Sequence, residues 1–278
     1  MTAPTTDTGI PRGRECEAFL EALDATPASA VTACEGWTAH EVTAHVTAAA
    51  AEVSRHLDPY LQGDPVPATL GFEEREAPYR AMAPERLRRR LEAEEARMRG
   101  LIDRVLEREP GAVIPWTGRR MAVAKFVPHL RNEFALHRWD VAGDDGPGPA
   151  LLAQPELTEH AVRVLGAILV RRGRRRDPAP GADLRVRLRA GGHRDVLLVV
   201  GGGIAALTMA GEDGGAREDG GAREEGENGE GGDEPYLDMD AAARTLMIWG
   251  RRPDQRGRVS SHMPAATLAR TQALLAGY

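Results

Sequence analysis

Arg131-Asn-Glu-Phe-Ala-Leu-His-Arg-Trp-Asp140 is the stretch on which the reading of this chain turns. As a helix it sets Glu133 and His137 one turn apart on the same side, so a carboxylate oxygen and an imidazole nitrogen can converge on one point. Helix bundles build divalent-metal sites from such side chains on facing helices. The same spacing also suits a solvated polar pair or an acid–base hydrogen bond. A metal would need a further ligand, and His45 is the candidate. Val127, Leu130, Phe134, His137 and Val141 recur at helical spacing, which predicts a helix within Met121–Ala142. Pro128 either sits in its first turn, where the missing N–H costs little, or kinks it.

Upstream, a helix start is spelled out. Thr38 can cap, Glu41 completes a capping box, and Trp37 can pack on Val42 as a hydrophobic staple. The helix is expected to run to about Leu57, with Val42, Val46, Ala49 and Val53 on its apolar face. His45 shares that face and should point inward, as a buried neutral imidazole with a hydrogen-bond partner or as a ligand; His40 and His56 fall off the face or at its end. Cys16, Phe19, Leu20 and Leu23 mark a helix over Glu15–Asp24, and Leu87, Leu91, Met98, Leu101, Ile102 and Val105 mark another over Glu85–Glu107. Asp58–Pro84 is rich in proline and reads as an irregular crossover, and Ile114–Gly118 reads as a turn. Four helices with one long crossover predict a four-helix bundle.

Gly143–Pro149 is the expected domain boundary. Beyond it come an amphipathic helix over Glu156–Arg171 and three strands. The first alternates Leu184, Val186 and Leu188 with arginines, and the others are Val196–Val200 and Ala205–Met209. Gly201–Gly203 is a turn rather than a phosphate loop, because no helix follows it. A strand at Tyr236–Met239, a helix capped by Asp240 and a last helix over Pro264–Leu275 complete this half. The fold class is therefore α+β, in three parts: a flexible tail over 1–14, a bundle over 15–145 and an α+β domain over 150–278.

The net charge of −6 is concentrated in one place: residues 212–234 carry ten acids against Arg217 and Arg223. This stretch repeats Glu-Asp-Gly-Gly-Ala-Arg, has almost nothing to bury, and is expected to be a disordered insertion between strands. The remainder is near neutral, which argues against a nucleic-acid partner. Arg171–Arg176 reads as a solvated helix end. Cys16 and Cys34 form no disulfide framework and no metal motif, so a cytoplasmic chain with reduced thiols is expected. No apolar run reaches the ~20 residues that cross a bilayer, and the polar first residues contain no signal-peptide core. The expected assembly is a monomer or small homo-oligomer.

Three stretches together resemble the actinobacterial mycothiol-dependent maleylpyruvate isomerase family, with its DinB-like metal-binding bundle and sterol-carrier-like C-terminal domain. They are Gly36-Trp-Thr-Ala-His-Glu-Val-Thr-Ala-His45, with Ala39 where the family has valine; Arg131 to Asp140; and Leu246-Met-Ile-Trp-Gly-Arg-Arg252. The resemblance covers about Glu15 to Leu275, apart from 212–234. It implies that His45, Glu133 and His137 bind one divalent metal, usually zinc, and a His₂Glu set leaves a fourth position open. It further implies a mycothiol thiolate that adds to an electrophilic small molecule, with cis–trans isomerisation or thiol transfer as the outcome. Arg251 matches an arginine that could bind a substrate or cofactor carboxylate across the domain interface; otherwise it is a helix C-terminal charge. Asp140 is either a hydrogen-bond partner of a ligand histidine or a surface helix-end residue, and Arg131 is a surface ion-pair residue. A different class of reading is a non-catalytic module that binds a small ligand or partner, with a structural metal or none.

Overall fold

The computed structural model describes residues 12–211, 234–253 and 257–276. The chain divides into two compact units, Met1–Gly148 and Pro149–Tyr278. Most of the expected tail, and nearly all of the acidic stretch 212–234, lie outside the described residues.

In the first unit, α1 (Arg14–Ala25), α2 (Ala39–Gln62), α4 (Pro84–Arg108) and α5 (Phe126–Ala142) form the bundle. Helix α2 packs on α4, and α1 packs on α5, where the rings of Phe19 and Phe134 lie 5.9 Å apart. The capping box of α2 is formed: the Thr38 side chain accepts from the Glu41 N–H, and Glu41 Oε2 accepts from the Thr38 N–H at 2.7 Å. Helix α2 does not stop near Leu57. It runs through Pro59 to Gly63, a residue at φ 81° whose N–H closes on Pro59 and Tyr60. The left-handed glycine ends the helix rather than the proline, so His56 falls mid-helix and is buried.

The Pro-rich crossover holds a further helix, α3 (Phe72–Arg80), with Pro78 inside it. The expected turn at Ile114–Gly118 is a hairpin, β1 (Val113–Trp116) paired antiparallel with β2 (Arg119–Ala122). Thr117 and Gly118 have φ of 49° and 76°, the two positive values that a tight two-residue hairpin needs. Helix α5 begins at Phe126, so Pro128 lies in its first turn. Every residue from Asn132 to Asp140 is buried, whereas Val127 and Val141 are half-buried. The helix is thus enclosed on all sides rather than along one stripe.

In the second unit, the sheet order is β5-β4-β3-β6-β7, with β3 (Leu184–Ala190) at the centre. It is flanked by β4 (Val196–Gly201) and β5 (Ile204–Met209) on one side, and by β6 (Tyr236–Met239) and β7 (Val259–His262) on the other. Neighbouring strands are antiparallel except the pair β3 and β6. Val186, Leu188 and Ala190 face the core and Arg185 and Arg189 face out, the period-2 pattern of a half-buried strand. Two short helices, α6 (Gly148–Leu152) and α7 (Pro155–His160), lead through a π-turn over Ala161–Leu165 into α8 (Gly166–Gly173). Helix α8 packs on β5 and on α10 (Ala265–Leu274). A Cβ at Gly173 would lie 1.9 Å from the Leu274 carbonyl oxygen, so only glycine allows that approach. Asp240 caps α9 (Ala241–Ile248) by accepting from the Ala243 N–H at 2.8 Å.

Candidate metal centre

His45 comes from the second turn of α2, and Glu133 and His137 from successive turns of α5. All three are nearly inaccessible to solvent, at 3%, 3% and 2% exposure. One ligand-capable atom from each lies within 4.8 Å of the other two. Glu133 Oε2 is 3.7 Å from His45 Nε2 and 3.5 Å from His137 Nε2. Donors bonded at ~2.1 Å around a tetrahedral ion are separated by about 3.4 Å, so these spacings suit a zinc-sized cation.

The opposite ring nitrogens are anchored. His45 Nδ1 lies 2.7 Å from Glu76 Oε1, and His137 Nδ1 lies 2.9 Å from Asp140 Oδ2. An ionised carboxylate only accepts, so each Nδ1 must donate, and in the neutral ring the Nε2 lone pair is left facing Glu133. His137 Nε2 and Glu133 Oε1 are buried and have no hydrogen-bond partner among the described residues. Such orphaned atoms in a dry interior are costly unless something fills the space between them. The donor set and the orphaned atoms both fit a divalent cation.

The electrostatics agree. Burial alone would push the Glu133 carboxyl up, but its contacts with His137 and His45 and the nearby imidazole charge outweigh this and hold it well below the usual carboxylate range. Burial would push His137 down, yet Asp140 and Glu133 raise it. Both directions describe a cluster short of positive charge when its imidazoles are neutral.

Trp37 and Phe72 wall in His45, with ring centroids at 5.1 and 5.9 Å. The Trp37 ring thus lies against the histidine. His129, one turn before Glu133, brings Nε2 to 4.0 Å from Glu133 Oε1, and burial pushes its pKa down. Its 129–133–137 stripe was visible at i, i+4 spacing. Glu76 carried no such signal, because α3 has no apolar stripe to announce a helix. Arg131 pairs with the buried Glu15, its Nη2 donating to Oε1 at 3.0 Å. Arg251 belongs to the second unit, is 9% exposed, and donates from Nη1 to the Trp249 carbonyl at 3.0 Å.

The family model for the mycothiol maleylpyruvate isomerase N-terminal domain matches residues 12–142. The N-terminal unit belongs to that family. Within this mycothiol maleylpyruvate isomerase N-terminal domain lie His45, Glu133, His137, Glu76 and Asp140. Two solved structures are similar over 90% of both chains. One is a crystal structure of the mycothiol-dependent maleylpyruvate isomerase, at 16% identity and a TM-score of 0.60. The other is a histidine-to-alanine mutant of that enzyme, at 15% and 0.60. At such identity the likeness shows the fold, a helical N-terminal region followed by a sheet domain. No curated protein sequence matches the chain. No helix among the described residues is long and apolar enough to cross a membrane.

Proposed function

We propose that this protein is a mycothiol-dependent metalloenzyme of the maleylpyruvate isomerase type, in which His45, Glu133 and His137 hold one divalent cation, zinc. A cation in that position supplies Lewis acidity, which keeps a bound thiol in its reactive thiolate form at neutral pH. The reaction is cis–trans isomerisation of, or thiol transfer to, an electrophilic small molecule. Glu76 and Asp140 fix the tautomers of the two ligand histidines by accepting their Nδ1 protons. Trp37 and Phe72 shield His45 and limit water around it. Arg251 is assigned the recognition of a substrate or cofactor carboxylate, a task its planar guanidinium suits.

The observation that carries the reading is the convergence of three buried ligand atoms, two of them on imidazoles whose other nitrogen is already engaged. Elemental analysis tests it. The purified protein is expected to hold one equivalent of zinc, and His45→Ala, Glu133→Ala and His137→Ala are each expected to lose it while keeping native circular dichroism. Turnover of a panel of electrophiles, including maleylpyruvate, is expected only with mycothiol present. A metal-free wild type would sink the enzyme reading and favour a binding module.

A further inference from the structure

Helix α3 has nine residues and buries a single side chain, Glu76. A helix that short does not persist alone in water, so its contacts with α2 must hold it. They are polar. Glu76 Oε1 meets His45 Nδ1 at 2.7 Å, while Oε2 accepts from Arg80 Nη2 at 2.6 Å. The Arg80 carbonyl in turn lies 3.0 Å from His40 Nε2. Ahead of the helix, Glu52 Oε1 accepts from the Leu70 N–H at 2.8 Å, and Arg55 Nη2 donates to the Ala68 carbonyl at 2.5 Å.

The two histidine anchors therefore differ in kind. Asp140 sits three residues from His137 on the same helix, so it is near its partner whenever α5 is formed. Glu76 lies 31 residues from His45 and arrives only when α3 is docked. We propose that Glu76 is the positioning residue for His45, and that through it the docking of α3 is linked to cation binding at His45, Glu133 and His137. This rests on the metal reading above and assigns α3 a role within it. With α3 docked, the His45 ring is held with Nε2 toward Glu133; with α3 released, the ring is free to take the other tautomer and other rotamers. A cation selects the oriented ring. Because coupling is reciprocal, the cation must favour the docked helix by the same factor by which docking favours the cation. The exposed Phe72, at 44%, rides on the same helix and covers His45 only in the docked arrangement.

The test uses the full chain. Zinc affinity is measured by competition with a chromophoric chelator, and hydrogen exchange at the α3 amides is measured with and without zinc. Glu76→Ala is expected to weaken zinc binding by about 10–100-fold, with Glu76→Gln, which keeps an acceptor oxygen, losing less. In the wild type, zinc is expected to slow exchange across α3 and leave α10 unchanged. If wild type binds one zinc but Glu76→Ala binds it within twofold, or zinc leaves α3 exchange unaltered, the linkage is wrong and the centre stands. If wild type binds no zinc, the centre itself is wrong and the linkage falls with it. Should Glu76→Ala fail to fold, the wild-type exchange measurement decides alone.

Discussion

Asp140→Asn isolates the anchor of His137 from the ligand itself. Asp140 is 2% exposed, and its Oδ2 lies 2.9 Å from His137 Nδ1. Asparagine is nearly isosteric, so packing around α5 should survive. The amide removes the charge that makes the imidazole a better donor to a cation. It can also present its NH₂ group to Nδ1, which would force the ring proton onto Nε2 and abolish ligation. Loss of a carboxylate behind a metal-bound histidine costs about 10–100-fold in affinity, equivalent to about 1.4–2.7 kcal/mol. Chelator competition with zinc should return a value in that range, with one equivalent still bound at saturation and the far-UV spectrum unchanged. An affinity within twofold of wild type in a folded variant would refute the claim that Asp140 sets the ligating state of His137.

Other outcomes follow from the same structure. Thr38→Ala removes the side chain that accepts from the Glu41 N–H, and should cost about 1 kcal/mol in urea unfolding; no change would mean the cap is redundant. Arg270 Nε and Nη2 reach Asp177 at 2.9 and 3.2 Å, so Asp177→Asn leaves a nearly buried guanidinium without its counter-charge. Removing one partner of a buried pair costs about 3–5 kcal/mol, and the carbonyls of Asp183 and Ala182, which Arg270 also reaches, place the expected value near about 3. Arg270 depresses the Asp177 pKa, so the stability it contributes is complete above the ordinary aspartate value of about 3.9. That contribution is lost as pH falls through the lower folded-state value. Unfolding midpoints measured against pH should show this acid loss in wild type and less of it in Asp177→Asn. Burial, then the charge of Glu95, pushes the Cys16 thiol up to about 12. Iodoacetamide at pH 8 should therefore modify the partly exposed Cys34 before Cys16, read by peptide mass spectrometry; the reverse order would contradict the burial of Cys16.

The start of α2 and the inward aim of His45 were legible because both are local. A capping box is written in a few adjacent residues, and a face is written in periodicity. Helix α3 was not, since the proline-rich stretch Asp58–Pro84 read as an irregular crossover, and Glu73, Glu74, Arg75 and Glu76 offer no apolar face to contradict that. Only the arrival of His45 and Arg80 makes burial of one of those acids tolerable. His56 was misplaced because a proline two residues after Leu57 looked like a stop, whereas the chain defers the stop to a glycine. Helix α5 showed one apolar stripe, but it is buried beyond that stripe, because its own Asn132 and Arg138 and the Nδ1 of His137 find hydrogen-bond partners within the fold, which periodicity does not report. Strand β7, with Ser260 and Ser261 at its centre, lies on the sheet edge and carries no hydrophobic signature.

Strand β5 runs parallel to β6, because two antiparallel steps and one parallel step separate them in the order β5-β4-β3-β6. The register Thr208↔Leu197, Leu197↔Arg187 and Arg187↔Tyr236 sets the start of β6 level with the end of β5, so the chain leaving Met209 has to move sideways by three strand spacings to reach Tyr236. With spacings of about 4.8 Å, that is a reach of about 15 Å, which about five extended residues would cover. The tether between these strands is far longer than the topology demands, so its surplus length is open to drift in sequence and size without any penalty to the sheet it joins.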